Sequence, residues 1–237
     1  SFSDDFEVKT AANGEQGMEQ ALNSIPDIIV SDIMMPVMNG ITMCKILKED
    51  VRTSHIPIIL LTAKDSLQDK EEGYQVGADS YLTKPFSATL LHSRINNLLE
   101  SRKRLTERFN TSTPHHNMDE KRALLAESLN KLDNEFIEKI NQLIEARLSS
   151  EKIDIGYLAD NMCMSKSTLY RKMKALTGLS TNEYVRKIKM QHAERLLLEG
   201  RYNISEVAFR VGINSVVYFR QCFKEEFGVL PSEYLKQ

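Results

Sequence analysis

The chain has 237 residues, 41% hydrophobic and 27% charged, enough to bury two cores of ordinary domain size. No apolar run approaches the roughly 20 residues of a membrane helix, and the opening SFSDDFEVKT lacks the basic-then-apolar order of a secretory signal. The net charge of −2 hides an asymmetry: residues 1–100 hold 8 Lys+Arg against 15 Asp+Glu, a net −7, while residues 101–237 hold 23 against 18, a net +5.

From the first residues onward, short apolar runs alternate with helical stretches: FEVKTAA, EQGMEQALNSI, PDIIVSDIMMP, ITMCKILKED, HIPIILLTA, DKEEGYQVG, ADSYLTKPF and SATLLHSRINNLLESRKRL. This is a βαβα order. Continuous runs such as Ile28, Ile29 and Val30, or Ile58 to Leu61, suit strands covered on both faces, as in a doubly wound parallel sheet. Residues 101–118, SRKRLTERFNTSTPHHNM, lose the apolar rhythm and predict a linker between a domain at 1–100 and another at 119–237.

The second domain reads as all helical. Leu132, Phe136, Ile137, Ile140, Leu143, Ile144 and Leu148 recur at three- and four-residue intervals, the pattern of a packing helix. A repeat follows at an offset of about 50 residues: Leu158, Ala159 and Met162 match Val207, Ala208 and Val211, and Thr177-Gly178 matches Phe227-Gly228. Each copy is a helix, a tight turn (Cys163, Gly212) and a second helix opened by a capping residue (Ser165; Asn214 or Ser215), a helix-turn-helix near 155–176 and another near 204–227. Between them Ser180 and Glu183 form a capping box, and Gly200 ends the helix they start. That helix should span about 28 Å, close to one turn of B-DNA at about 34 Å. A basic half with this spacing points to double-stranded DNA as its partner.

Three residues of the first domain share one position in the topology. Asp32 follows the apolar run IIVS, Thr62 ends the next strand and Lys84 the one after, and open parallel sheets bind ligands at the carboxyl ends of their strands. A carboxylate there can accept a phosphoryl group, an ammonium can balance the added charge, and a hydroxyl can donate to a phosphoryl oxygen. The bland alternative is that Asp32 caps a turn and Lys84 is solvated. In the second domain, Leu169 and Met173 read as buried, which leaves Ser165, Lys166, Ser167, Tyr170, Arg171 and Lys174 on an outer face that can enter a major groove. In the second unit Phe219, Phe223 and Phe227 fill the core, leaving Ser215, Val217, Arg220, Gln221 and Lys224 outside.

The cysteines, Cys44, Cys163 and Cys222, are odd in number and set among apolar neighbours, which predicts buried thiols in a reducing, cytoplasmic compartment and no metal site. His115 and His116 fall in the linker, and His55, His92 and His192 have no partners at ligand spacing.

The motifs SDIMMPVMNG, LLTA and YLTKPF make residues 1–100 resemble the receiver domain of two-component response regulators. The resemblance implies Asp32 as phosphoacceptor, the Met34 backbone carbonyl as a magnesium ligand, Thr62 and Tyr81 as a switch pair, and Lys84 as phosphoryl contact, with a cis bond to Pro85. The family binds Mg2+ through Asp32's counterpart and an acidic pair that ends its first strand. That strand and that pair are absent from this chain, whose Asp4 and Asp5 precede the second strand. In the order 2-1-3-4-5 the first strand is central, so a distorted or strand-exchanged sheet is expected.

IGYLADNMCMSKSTLYRKMKALTG and ISEVAFRVGINSVVYFRQCFKEEFGVLPSEY make residues 130–237 resemble the AraC family of transcription activators. By that resemblance Ser167 and Arg171 contact bases, and Val217 and Gln221 hold the matching places, Gln221 where many members have Arg. The pairing resembles the C-terminal end of hybrid two-component sensors, which fits a chain lacking an initiator Met. The implied function is a non-enzymatic, phosphorylation-controlled transcription regulator. Its partners would be a histidine kinase domain, in the same polypeptide in a hybrid, and DNA bound as a homodimer, with no membrane contact by this segment. A phosphatase with an aspartyl intermediate would need an acid/base carboxylate where Met34 stands, and a protein scaffold would show no salt-dependent DNA affinity.

Overall fold

The structure is a computed structural model that describes residues 5–63, 76–110, 129–149 and 153–235. It divides into two compact units, residues 1–104 and 105–237.

The front unit is built on three parallel strands in the order β1 (Ile29–Asp32), β2 (Ile58–Thr62) and β3 (Ser80–Thr83). Their period of two divides the core. Ile58 and Leu60 point to one face, where they meet Ala21 of α1 (Gly14–Ser24) and Met43, Cys44 and Leu47 of α2 (Gly40–Glu49). Ile59 points to the other, with Leu82 and with Ile95 of α3 (Ala88–Asn110). The sheet is therefore covered on both faces, as the unbroken apolar run of β2 requires.

Two expectations are corrected by this fold. The FEVKTAA stretch is not a strand: Glu7 to Thr10 are exposed and irregular, while Phe6 packs toward Ile59, Leu82 and Ile95, and Asp5 pairs with His92 at 3.1 Å. A strand needs a neighbour for its amides and carbonyls, and in the expected order that neighbour is the first strand, of which the described residues contain none. The linker expected at 101–118 begins as helix, because α3 continues to Asn110, helped by an Arg104–Glu100 pair one turn apart at 3.3 Å. Residues 111–118 and the helical start expected at Asp119 lie outside the described residues, as does most of DKEEGYQVG.

The described residues of the back unit form helices and no strand: α4 (Lys131–Glu145), α5 (Ile155–Asn161), α6 (Lys166–Thr177), α7 (Thr181–Leu198), α8 (Ile204–Arg210), α9 (Val216–Phe227) and α10 (Pro231–Tyr234). Caps fix most of these ends. The side chains of Ser165 and Ser215 accept from the amides of Thr168 and Tyr218, and Gly178 and Gly228 close α6 and α9 in the left-handed region. Ser180 and Glu183 form the predicted capping box, and its hydrogen bonds hold the Glu183 carboxyl below the usual carboxylate range. An equivalent box, Asn203 with Glu206, opens α8. Phe219 and Phe223 are buried, while Phe227 is half-buried and meets Phe223 at a 43° tilt with ring centres 4.5 Å apart.

The thiols separate. Burial pushes Cys44 up to about 11, and Cys222 is also buried. Cys163 is exposed, contrary to expectation, because it occupies the helix-turn-helix turn with φ 53, where Gly212 stands at φ 66 in the second unit.

Gly40 sets how closely α2 approaches the sheet. A methyl there would come 2.2 Å from the Asp32 carbonyl oxygen, and the Gly40 amide donates to the Ile33 carbonyl at 2.9 Å. Replacing Gly40 with Ala should destabilise the front unit by about 1–3 kcal/mol. Urea unfolding of the full chain reads this as an earlier transition for that unit, and an unshifted midpoint would mean that the loop after β1 yields freely.

Candidate functional site

Parallel pairing puts three strand ends side by side. Asp32 lies opposite Leu61 in register, Thr62 opposite Thr83, and the Lys84 amide continues the ladder by donating to the Thr62 carbonyl at 2.8 Å. This brings the Lys84 ammonium onto the Asp32 carboxylate as an ion pair, although the two residues are 52 apart in sequence. The other carboxylate oxygen accepts from the Met34 amide at 3.3 Å, so Asp32 also caps its own turn. Asp32 thus caps its own turn, as the bland alternative had it, while Lys84 is paired with it and not merely solvated. The Lys84–Pro85 peptide is cis.

Asp32 and Lys84 are partly exposed, with side chains 36% and 45% accessible. Thr62 is buried at the end of β2 and its hydroxyl donates to the Ala63 carbonyl at 3.1 Å. Tyr81 is half-buried against the core formed around Leu47 and Leu60. Met34 is 80% exposed in the loop that follows.

The described residues do not complete a divalent-cation site. No group of three or more His, Cys, Asp or Glu suited to a metal occurs among the described residues. Magnesium demands a near-octahedral oxygen shell, usually one or two carboxylates with water.

In the back unit every residue expected to face DNA is exposed: Ser165, Lys166, Ser167, Tyr170, Arg171 and Lys174 on α6 and its cap, and Ser215, Val217, Arg220, Gln221 and Lys224 on α9 and its cap. Their opposite faces, with Leu169, Met173, Phe219 and Phe223, are buried. Several of the exposed residues already have partners: the Ser165 and Ser167 hydroxyls lie 2.9 Å apart, and Ser215 caps α9. The Gln221 side-chain amide donates to Glu225 at 3.1 Å. The helix joining the two units, α7, has 18 residues, or about 27 Å. Its Lys189 is buried and donates to the Gly212 carbonyl at 3.3 Å, fastening α7 to the second turn.

Residues 2–96 match the response regulator receiver domain family, and residues 158–237 match a helix-turn-helix domain family. The chain is 35% identical over 230 residues to histidine kinase P4 of Formosa agariphila, covering 97% of this chain and 16% of that protein. It is 43% identical over 93 residues to the response regulator PleD of Caulobacter vibrioides, covering 39% of this chain and 20% of that protein. Among solved structures, the C-terminal domain of AraT, a response regulator from Geobacillus stearothermophilus, is 31% identical, with 43% of this chain and 84% of that chain covered and a TM-score of 0.40. The chain thus spans less than a quarter of the length of these two curated relatives.

The sequence reading missed a buried charge pair. Lys172, on the inner face of α6, is fully buried and its ammonium donates to Asp133 of α4 at 2.5 Å, 5.0 Å from the centre of the Phe136 ring. Breaking a buried pair from one side strands a charge, whereas removing both charges need not destabilise. Lys172→Met alone should therefore cost about 3–5 kcal/mol, and the double variant Asp133→Leu, Lys172→Met should be near neutral. Chemical denaturation of the two proteins compares them, and equal losses would contradict the assignment.

Proposed function

We propose, from the premise that this chain joins a response regulator receiver domain to an AraC-type helix-turn-helix domain, that it is the output end of a two-component system, a transcription regulator whose DNA binding responds to phosphorylation of Asp32. The observation that carries this reading is the Asp32–Lys84 ion pair at the carboxyl edge of a parallel sheet, in one chain with a duplicated helix-turn-helix.

The chemistry follows from the side chains. An Asp32 carboxylate oxygen attacks the phosphorus of a phosphohistidine; the new O–P bond forms as the N–P bond breaks, and the imidazole leaves. The acyl phosphate has more negative charge than the carboxylate it replaces. Lys84 already sits on Asp32 and balances it, and the Thr62 hydroxyl, which spends its proton on the Ala63 carbonyl in this state, can turn to a phosphoryl oxygen. Tyr81, next on β3, would follow that movement as the second switch residue. Receiver domains generally bind Mg2+, and loading it here would need acidic ligands beyond those that the described residues gather at Asp32. A phosphatase is disfavoured because the Met34 thioether cannot act as acid or base.

For DNA, α6 and α9 would enter successive stretches of major groove. Ser167 and Arg171 would read bases in the first unit, with Val217 and Gln221 in their places in the second. Lys166, Lys174, Arg220 and Lys224, with the hydroxyls of Ser165, Tyr170 and Ser215, would contact phosphates. Gln221 must release Glu225 to reach a base, so the second unit should read its half-site less strongly than the first. The domain boundaries proposed are 1–100 for the receiver and 119–237 for the DNA-binding part. The similarity to a histidine kinase over 97% of this chain supports a hybrid sensor as the parent, with the kinase in the same polypeptide. This segment would act in the cytoplasm, where the chromosome is; no described helix is long and apolar enough to cross a membrane. Homodimers on repeated sites are the expected assembly.

Selection of the chain on a random duplex pool at two salt concentrations should enrich a motif with two half-sites about one helical turn apart. On the enriched duplex, Arg171→Ala should cost about 1–3 kcal/mol and relax one position, while Lys174→Ala should weaken all sequences alike and lower the salt slope by about 1. Retention without an enriched motif would return the protein-scaffold reading. Incubation with a phosphorylated histidine kinase domain should label the wild type and leave Asp32→Asn unlabelled; equal labelling would remove Asp32 from its role.

A further inference from the structure

We infer that Asp133 is a positioning residue for DNA recognition: through Lys172 it sets where the first recognition helix sits. The inference rests on the reading of α6 as that helix. Lys172 directly follows Arg171, so the residue proposed to read a base and the residue locked into the core are neighbours on one helix, one exposed and the other fully buried. Any rotation or slide of α6 that moves Arg171 must also move the Lys172 ammonium.

That ammonium is held at a defined point. An ammonium out of water is costly unless it is paired in good geometry, and Lys172 meets the requirement with Asp133 at 2.5 Å and the Phe136 ring at 5.0 Å. Asp133 is itself fixed. Its second carboxylate oxygen accepts from the Asn130 side-chain amide at 2.8 Å, and its backbone amide donates back to the Asn130 side-chain oxygen at 2.9 Å. The carboxylate is thus anchored in the first turn of α4 before it reaches α6. A second buried polar contact, the Tyr184 hydroxyl donating to Asn141 at 2.9 Å, ties the middle of α4 to α7. Neither Asp133 nor Asn141 belongs to the stretch that matches the helix-turn-helix family, residues 158–237, yet both hold helices within it.

Apolar packing would also bury this face, but it tolerates small shifts, whereas a directional ion pair defines one register. The geometry therefore separates two roles that a simple destabilising substitution would confuse. If the pair only supports the fold, replacing both charges with apolar groups restores everything. If it sets the register of α6, that replacement restores the fold and leaves the reading of bases impaired.

The experiment uses the full chain on its selected duplex, and the first half-site is identified as the one whose discrimination Arg171→Ala abolishes. For wild type, Asp133→Asn, Lys172→Met and the double variant Asp133→Leu, Lys172→Met, affinity is measured on the intact duplex and on duplexes altered in one half-site. Far-UV circular dichroism checks folding at the assay temperature. The expected result is a folded double variant whose discrimination at the first half-site has fallen by about tenfold while that at the second is kept. Wild-type discrimination by the double variant would overturn the inference, and so would single variants that fold and discriminate normally. A wild type that distinguishes neither half-site would overturn both this inference and the DNA-binding reading, whereas the other failures leave that reading standing.

Discussion

In a parallel sheet every strand runs the same way, so all carboxyl ends lie on one edge, and that constraint places Asp32, Thr62 and Lys84 together. Nothing local in the sequence joins residues 32, 62 and 84. Hydrogen-bonded register does: β1 pairs with β2 from Ile29–Ile58 to Asp32–Leu61, and β2 pairs with β3 from Ile59–Ser80 to Thr62–Thr83. A slip of one residue would turn Ile58 and Leu60 away from α1 and α2 and break the core, so burial of the apolar run guards the site's geometry. Stability and function of the front unit share one cause.

The back unit solves a different problem by duplication. Two helix-turn-helix copies need turns that reverse direction in a few residues, and both use the left-handed region, with Cys163 in one copy and Gly212 in the other. A residue with a Cβ in that conformation costs about 1–2 kcal/mol, so the first turn is maintained by the packing around it. The helix between the copies, α7, is held along its length: a capping box starts it, Tyr184 bonds Asn141 of α4, Lys187 pairs with Glu226 and Lys189 ties it to the second turn. Rigid spacing between two recognition helices is the property a reader of two groove segments needs.

Much of this was legible in the sequence, and the failures have physical reasons. The three strands, their polarity and the Asp32–Lys84 juxtaposition followed from apolar runs ending in polar residues. The turns and the caps at Ser165, Ser180 and Ser215 followed from side-chain chemistry acting within three or four residues, which a one-dimensional reading captures well. The FEVKTAA stretch failed because strand formation depends on a neighbour and not on the segment alone. Cys163 failed because apolar neighbours in sequence do not fix exposure in a turn. Lys172 and Asp133 failed because a charged residue on a basic helix reads as solvated, and only the approach of α4, 39 residues away, makes it a buried pair. The signal available was a lysine at position 172, three residues after Leu169 and one before Met173, on the apolar face.

Control of DNA binding by the front unit is proposed to run through phosphorylation of Asp32. The most direct measurement is DNA affinity of the chain on its selected duplex, before and after incubation with a phosphorylated histidine kinase domain, for wild type and Asp32→Asn. Binding should tighten after phosphoryl transfer in the wild type and stay unchanged in Asp32→Asn. Affinity that is the same in all four conditions, with the wild type demonstrably phosphorylated, would contradict it.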